Sequence, residues 1–185
     1  IKVPVDDVEA LRSAITNDVA AFIFEPVQGV AGAVTVSDFF LQEARKLCTE
    51  MGALMIADEV QTGLGRTGYK LACEHDGVRP DVVILGKALS GGVFPVSAVL
   101  ADGDVMLCIH PGQHGSTFGG NPIACAVAME ALKVLQEDNL AGNALKLGEK
   151  LRKELKEMNS PLVKMVRGRG LLNAIVIDEG EMKSG

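Results

Sequence analysis

Apolar residues along this chain fall into two rhythms. Val8, Leu11 and Ile15 recur at helical spacing and predict a helix over residues 6–16, opened by a capping-box-like pair, Asp6 and Glu9. Phe40, Ala44, Leu47, Cys48 and Met51 repeat the pattern behind Ser37, a good N-cap, and Gly52 closes that second helix. Between and after these stand short, nearly unbroken apolar runs at residues 19–24, 53–57, 82–85 and 96–100. Runs that short and without alternation predict strands buried on both faces, and intervening helices predict parallel crossovers. The pattern therefore predicts an α/β layered domain on a mostly parallel sheet.

Downstream, Asn121-Pro122 reads as the N-cap and first residue of a helix reaching about Gln136. A charged helix follows from about Leu140 to Met158, with Leu147, Leu151 and Leu155 forming one apolar stripe. Ser160-Pro161 marks a break. Two strand-like runs, 163–166 and 171–177, flank Arg167-Gly168-Arg169-Gly170, which reads as a turn whose arginines could touch a carboxylate. The expected division is a domain over residues 1–140, then a connecting helix and the start of a smaller domain over 141–185. No internal repeat or low-complexity tract interrupts it.

Composition narrows the function classes. Hydrophobic residues make up 48% and charged residues 23%, ordinary for a globular domain, while 21 glycines point to tight turns or backbone close to a ligand. A net charge of −6 gives no basic footprint, so no nucleic-acid partner is expected. No apolar run is long enough for a membrane span. Cys48, Cys73, Cys108 and Cys125 form no C-x-x-C pair and are read as reduced, mostly buried thiols. No metal site is expected. The chain opens on Ile1 rather than Met and runs straight into domain-like sequence, as expected of a piece of a longer protein.

Ligands of open parallel sheets bind beyond the carboxyl ends of the strands. Glu25, Asp58 and Lys87 each follow an apolar run at such an end. Any one of them also reads as a cap or a solvated loop charge; three in succession point to a site. Gly63-Leu64-Gly65-Arg66-Thr67-Gly68 matches the dinucleotide pattern G-x-G-x-x-G, but it neither follows its strand directly nor opens an amphipathic helix. Residues 54–59 resemble the metal-binding strand of P-loop ATPases, but no G-x-x-x-x-G-K-[ST] loop accompanies them.

The lysine supports a third reading. A lysine at the end of a buried strand needs a counter-charge or a role, and partial burial favours the neutral amine required for imine formation. Pyridoxal phosphate (PLP) needs such a lysine, an acid at its pyridine nitrogen and donors around its phosphate. Asp58 can supply the acid. Gly115-Ser116-Thr117, ahead of Gly119-Gly120 and a helix start at Asn121-Pro122, offers hydroxyls and N–H groups for a phosphate, although it also reads as an ordinary turn.

Three long segments carry a family resemblance. The run from Ile56-Ala57-Asp58-Glu59-Val60-Gln61-Thr62-Gly63 to Gly68, the segment Gly86-Lys87-Ala88-Leu89-Ser90-Gly91-Gly92, and His114-Gly115-Ser116-Thr117-Phe118-Gly119-Gly120-Asn121-Pro122 resemble those of the class III, fold type I aminotransferases. Pro95-Val96-Ser97-Ala98-Val99-Leu100 and residues 167–175 are most similar to the ornithine branch of that family; acetylornithine enzymes share the His-Gly-Ser-Thr segment.

The resemblance implies a three-layer α/β/α large domain with a mostly parallel sheet, PLP as cofactor, and the start of a smaller α+β C-terminal domain. It implies that Lys87 forms the imine with PLP and shuttles the proton, that Asp58 pairs with the pyridine nitrogen, and that Gln61 bonds near the ring's 3′-oxygen. Ser116 and Thr117 would bind the phosphate of a neighbouring subunit, making the active unit a homodimer or higher homo-oligomer. Glu25 would sit in the substrate shell. The implied reaction moves the δ-amino group of ornithine to 2-oxoglutarate, giving glutamate semialdehyde and glutamate. The alternatives are another class III enzyme, acting on acetylornithine or γ-aminobutyrate or as an aminomutase, or a truncated non-catalytic subunit. The family's compartments are the mitochondrial matrix and the cytoplasm, and the resemblance leans to the matrix.

One position departs from the pattern. Glu25-Pro26-Val27-Gln28-Gly29 usually continues Glu-Ala-Gly in the family, and here reads Val30-Ala31-Gly32. In the ornithine branch that glutamate pairs with a substrate-binding arginine from a later segment. Valine makes no such pair, so an altered substrate preference is expected. The family's N-terminal part, which carries a second phosphate loop, a stacking aromatic and substrate arginines, does not match any of these residues, so this stretch alone is not expected to be a working enzyme.

Overall fold

The computed structural model describes residues 1–178 and residue 180. Asp7, not Asp6, caps the first helix, α1 (Val8–Ala14), and accepts the Ala10 N–H at 2.9 Å. Asp6 has a left-handed backbone (φ 63°), which a helix cannot include, and its carboxylate accepts the Ser37 N–H at 2.9 Å. The predicted first helix therefore starts later than expected.

β1 (Ala21–Phe24) leads into a small antiparallel pair, β2 (Val27–Gln28) and β3 (Val34–Thr35), joined by the 29–33 turn. α2 (Asp38–Met51) forms as predicted: the Ser37 hydroxyl accepts the Phe40 N–H at 3.3 Å, and Gly52 ends the helix at φ 72°. β4 (Leu54–Asp58), β5 (Val82–Leu85) and β6 (Ala98–Ala101) complete a four-stranded sheet in the order β1-β4-β5-β6. β1, β4 and β5 are parallel; β6 pairs antiparallel with β5 and forms one edge.

Register assigns each face. Phe24, Ala57 and Val83 share one row, and with Met55 and Leu85 they face helices. Phe40, Leu41, Ala44, Leu47 and Cys48 of α2 cover the β1–β4 half of that face, beside Leu11 and Ile15 of α1. Burying each such large apolar side chain contributes about 1.5–3 kcal/mol. Ile23, Ile56 and Val82 form a row on the opposite face, and Ile84 and Val99 continue it next to Asp58. Ile23 is 61% and Val99 52% exposed, so the described residues cover this second face only in part.

α3 (Gly103–Met106) follows the edge strand, and α4 (Pro122–Glu137) begins with Asn121 accepting the Ala124 N–H at 2.9 Å, as predicted. Ala128 of α4 packs with Val83, Leu85 and Leu89, on the same face as α2. α5 (Leu140–Glu157) then runs to a hairpin of β7 (Val163–Arg169) and β8 (Leu172–Ile177). Residues 179 and 181–185 of the predicted 141–185 unit lie outside the described residues.

α5 is a solvated amphipathic helix, as its charged run implies: Leu147 and Leu151 are 43% and 42% exposed, and the buried positions are Ala144 and Gly148. The reason is backbone contact, since a Cβ on Gly148 would overlap the Gly170 carbonyl, and one on Gly170 would overlap the backbone of Arg66 and Thr67. Arg152 secures the stack by donating to the Gly170 carbonyl at 2.8 Å and to the Asn173 side-chain Oδ1 at 2.7 Å. Arg167 and Arg169, expected in a turn, are strand residues, because β7 runs through Arg169 and the reversal falls at Gly170-Leu171.

Arg169 also finds carboxylates, but the protein's own. It donates to Asp76 at 2.7 Å and to Asp38 at 3.1 Å, clamping the hairpin to the α2 side. The Asp76 side chain is fully buried, and among the described residues its Oδ2 has no hydrogen-bond partner. Burial and the adjacent Asp38 push its carboxyl up to about 6 against the pull of Arg169, while the neighbouring Asp76 and then Arg169 hold Asp38 below the usual range. Asp76 therefore keeps its proton to a higher pH than Asp38 does. Below the unfolded value of 3.8 both states hold that proton; between there and about 6 only the folded state does, so the stability it contributes is lost as pH rises through that window. In the full-length protein, the melting temperature of Asp76→Asn relative to the parent should climb between about pH 4 and about pH 6 and then level off. A difference that does not vary with pH would contradict the raised Asp76 carboxyl.

Candidate functional site

The parallel pairing of β4 and β5 places Asp58 opposite Ile84, three residues before Lys87. Both residues thus stand at the carboxyl edge of the sheet, at the ends of neighbouring strands about 4.8 Å apart. Asp58 is half-buried, and its Oδ1 accepts the Val60 N–H at 3.1 Å, which turns the chain away from the strand.

Lys87 has φ 44°, a left-handed conformation that costs energy for a residue with a side chain. It opens a short 3-10 turn, Lys87–Ser90, closed by Gly91. Ser90 is buried, and its hydroxyl accepts the Phe94 N–H at 3.2 Å, bracing the turn from beneath. Lys87 itself is exposed, so the partial burial expected for its amine is not provided by the described residues.

Glu25 follows β1, half-buried, and accepts the Gly29 N–H at 3.3 Å. Gln61 lies against the same turn: a Cβ on Gly29 would stand 2.6 Å from the Gln61 side-chain oxygen. Val30 projects at the tip, 94% exposed. Asp58, Gln61, Glu25, the turn with Val30 and Lys87 therefore gather along one end of the sheet. Ser116 and Thr117 do not join them. Both are exposed, and the Ser116 hydroxyl accepts the Gly119 N–H at 2.8 Å within its own segment.

Glu59 was not singled out from the sequence and is the best-buried acid of the region, at 1% exposure. Next to Asp58 along the strand, it points to the opposite side, which is the signal that pleat alternation offers. Its carboxylate accepts the Cys73 N–H at 2.9 Å and the Thr62 hydroxyl, closing the loop that begins at Asp58. Burial and then Glu59 raise the Cys73 thiol, making it unreactive. Cys48 is buried too, whereas Cys108 and Cys125 are exposed, so the mostly buried reading holds for two of the four cysteines.

The same loop disposes of the two competing motifs. In the Gly63–Gly68 stretch the Leu64 and Gly65 N–H groups donate to Lys70 and Tyr69 carbonyls at 2.7 and 3.1 Å, and Leu135 and Leu145 pack onto Gly65 and Gly68. These glycines admit neighbouring helices rather than a pyrophosphate. In the 54–59 stretch compared with P-loop ATPases, the Glu59 carboxylate is occupied by Thr62 and Cys73. His75 bonds the Thr67 carbonyl at 3.0 Å and packs edge-on to Tyr69, a packing role for both.

Residues 2–184 match the family model described as aminotransferase class-III. An ornithine aminotransferase of Bacillus subtilis is 55% identical over 96% of this chain, which covers 44% of that protein. The mitochondrial ornithine aminotransferase of Drosophila melanogaster is 58% identical over 94% of the chain and 41% of its own length. Among solved structures, an ornithine aminotransferase of Toxoplasma gondii, described with partial occupancy of PLP at its active site, superposes with a TM-score of 0.92 at 50% identity, over 96% of this chain and 42% of its own. An acetylornithine aminotransferase of Elizabethkingia anophelis gives a TM-score of 0.92 at 51% identity, over 96% and 46%. The chain thus spans less than half the length of these relatives.

Proposed function

The chain belongs to the class-III aminotransferase family, and on that premise we propose that the whole protein is a PLP-dependent aminotransferase moving the δ-amino group of ornithine to 2-oxoglutarate. Glutamate semialdehyde and glutamate are the products. The observation that carries this reading is the placement of Asp58 and Lys87 at the carboxyl ends of adjacent parallel strands, in a chain that is 52–58% identical to ornithine aminotransferases.

The residues present fit PLP. Asp58 keeps one carboxylate oxygen beyond the bond from Val60, and Lys87 is an accessible amine at the end of the neighbouring strand. PLP, when bound, supplies an electron sink for the substrate carbon that loses its proton. Asp58 would hold the proton on the pyridine nitrogen. Lys87 would attach the cofactor and carry the proton at the substrate carbon. Gln61, fixed against Gly29, would serve the ring's 3′-oxygen side, and Glu25 would support the substrate shell. Ser116 and Thr117, apart from the other residues in this chain, serve the phosphate in a neighbouring subunit, so the active form is a homodimer or larger. We take residues 1–140 as part of the cofactor-binding domain and 141–185 as the connecting helix and the start of the smaller one. The mitochondrial relatives support a matrix location for the whole protein, with the cytoplasm as the alternative.

The full-length protein with PLP should show a visible band of lysine-bound cofactor that Lys87→Ala abolishes. A band that survives the substitution would overturn the assignment.

Val30 supports a second reading, a shifted donor preference. An exposed valine at the turn tip leaves a substrate-binding arginine unpaired and open to carboxylates. Val30→Glu in the full-length enzyme should raise the rate with ornithine relative to glutamate several-fold. An unchanged ratio would rule this reading out.

A further inference from the structure

Arg167 reaches across most of the chain to the turn that carries Val30. Its Nε donates to the Gly32 carbonyl at 2.7 Å and its Nη2 to the Ala31 carbonyl at 3.1 Å. One planar fork thus holds two successive carbonyls, a geometry that a lysine ammonium does not reproduce. The contact is close: Gly32 has φ 86°, and a Cβ there would stand 3.0 Å from Arg167 Nη2. The turn's other supports come from the opposite side. Gly29 rests on Gln61 and donates to Glu25 at 3.3 Å, and its carbonyl accepts the Gly32 and Ala33 N–H groups at 3.0 and 3.3 Å. Val30, almost fully exposed, is placed by these neighbours rather than by packing of its own.

We propose that Arg167 is a positioning residue for amino-donor choice. By clamping the Ala31 and Gly32 carbonyls it fixes where position 30 stands relative to Gln61 and the Asp58–Lys87 edge. This rests on the reading that position 30 lies in the substrate shell. Arg167 touches no reacting atom and acts through the turn. Because it is carried by β7, the clamp also makes the turn follow the packing of the hairpin, which Arg169 and Arg152 hold in place.

The test uses the full-length protein with Arg167→Met, Arg167→Lys, Val30→Ala and the Arg167→Met/Val30→Ala double variant. Hydrogen exchange at residues 29–33, followed without substrate, should speed up in Arg167→Met and less in Arg167→Lys. KM for the amino donor should rise about tenfold in Arg167→Met, as expected for losing hydrogen bonds from a charged group. The visible cofactor band and kcat should change little. In the double variant the ornithine-to-glutamate ratio should equal that of Val30→Ala alone, since the clamp acts through position 30. Unchanged exchange, a lower melting temperature with unchanged KM, or additive effects on the ratio would each overturn the proposal. Failure of the functional reading is distinct: the unsubstituted protein would then show no lysine-dependent band and no donor turnover. That outcome overturns the donor-choice role, while the exchange data still report the clamp.

Discussion

Asp81 fixes the register of β4 against β5 from three sides. Its N–H donates to the Met55 carbonyl at 2.8 Å, and its carboxylate accepts the Met55 N–H and an Arg45 N–H, both at 2.6 Å. Burial alone would push that carboxyl up, but the Met55 and Arg45 bonds prevail and hold it below the usual range. A slip of one residue would carry Asp58 to the helix-covered face and Met55 and Ala57 off it. The neighbourhood of Asp58 and Lys87, and so the proposed cofactor chemistry, depends on this register.

Around that edge the chain arranges its loops with buried polar contacts rather than apolar packing. Glu59 closes the loop after Asp58, Ser90 braces the turn that Lys87 opens, and Glu25 and Gln61 meet at Gly29. The 63–68 loop, α5 and the β7–β8 reversal are stacked through bare backbone, with Gly148 and Gly170 supplying the clearance. Arg152, Arg167 and Arg169 then tie the hairpin to this stack, to the Val30 turn and to the Asp38–Asp76 pair. The late segment of the chain therefore restrains loops that belong to the early one.

Local signals were readable from sequence; distant ones were not. Ser37 and Gly52 define α2, and Asn121-Pro122 opens α4, because a cap acts within a few residues of itself. The strand-end positions of Asp58 and Lys87 follow from short apolar runs. Arg167 was read as a turn residue because its partners lie 135 and 136 positions away. That α5 packs through Gly148 is not legible locally, because no periodicity reveals the backbone it meets. Glu59 was overlooked because its role requires the opposite pleat from Asp58 and a donor, Cys73, brought back by the fold.

The claim that one sheet edge places an acid and an amine on a single PLP molecule is tested most directly at the ring nitrogen. The nitrogen-15 shift of labelled PLP, bound to the full-length protein, reports whether that nitrogen is protonated. The account predicts a protonated ring in the parent protein well above the pH at which the free cofactor loses that proton, and loss of the proton in Asp58→Asn with Lys87 still attached. The same shift in both proteins would contradict it.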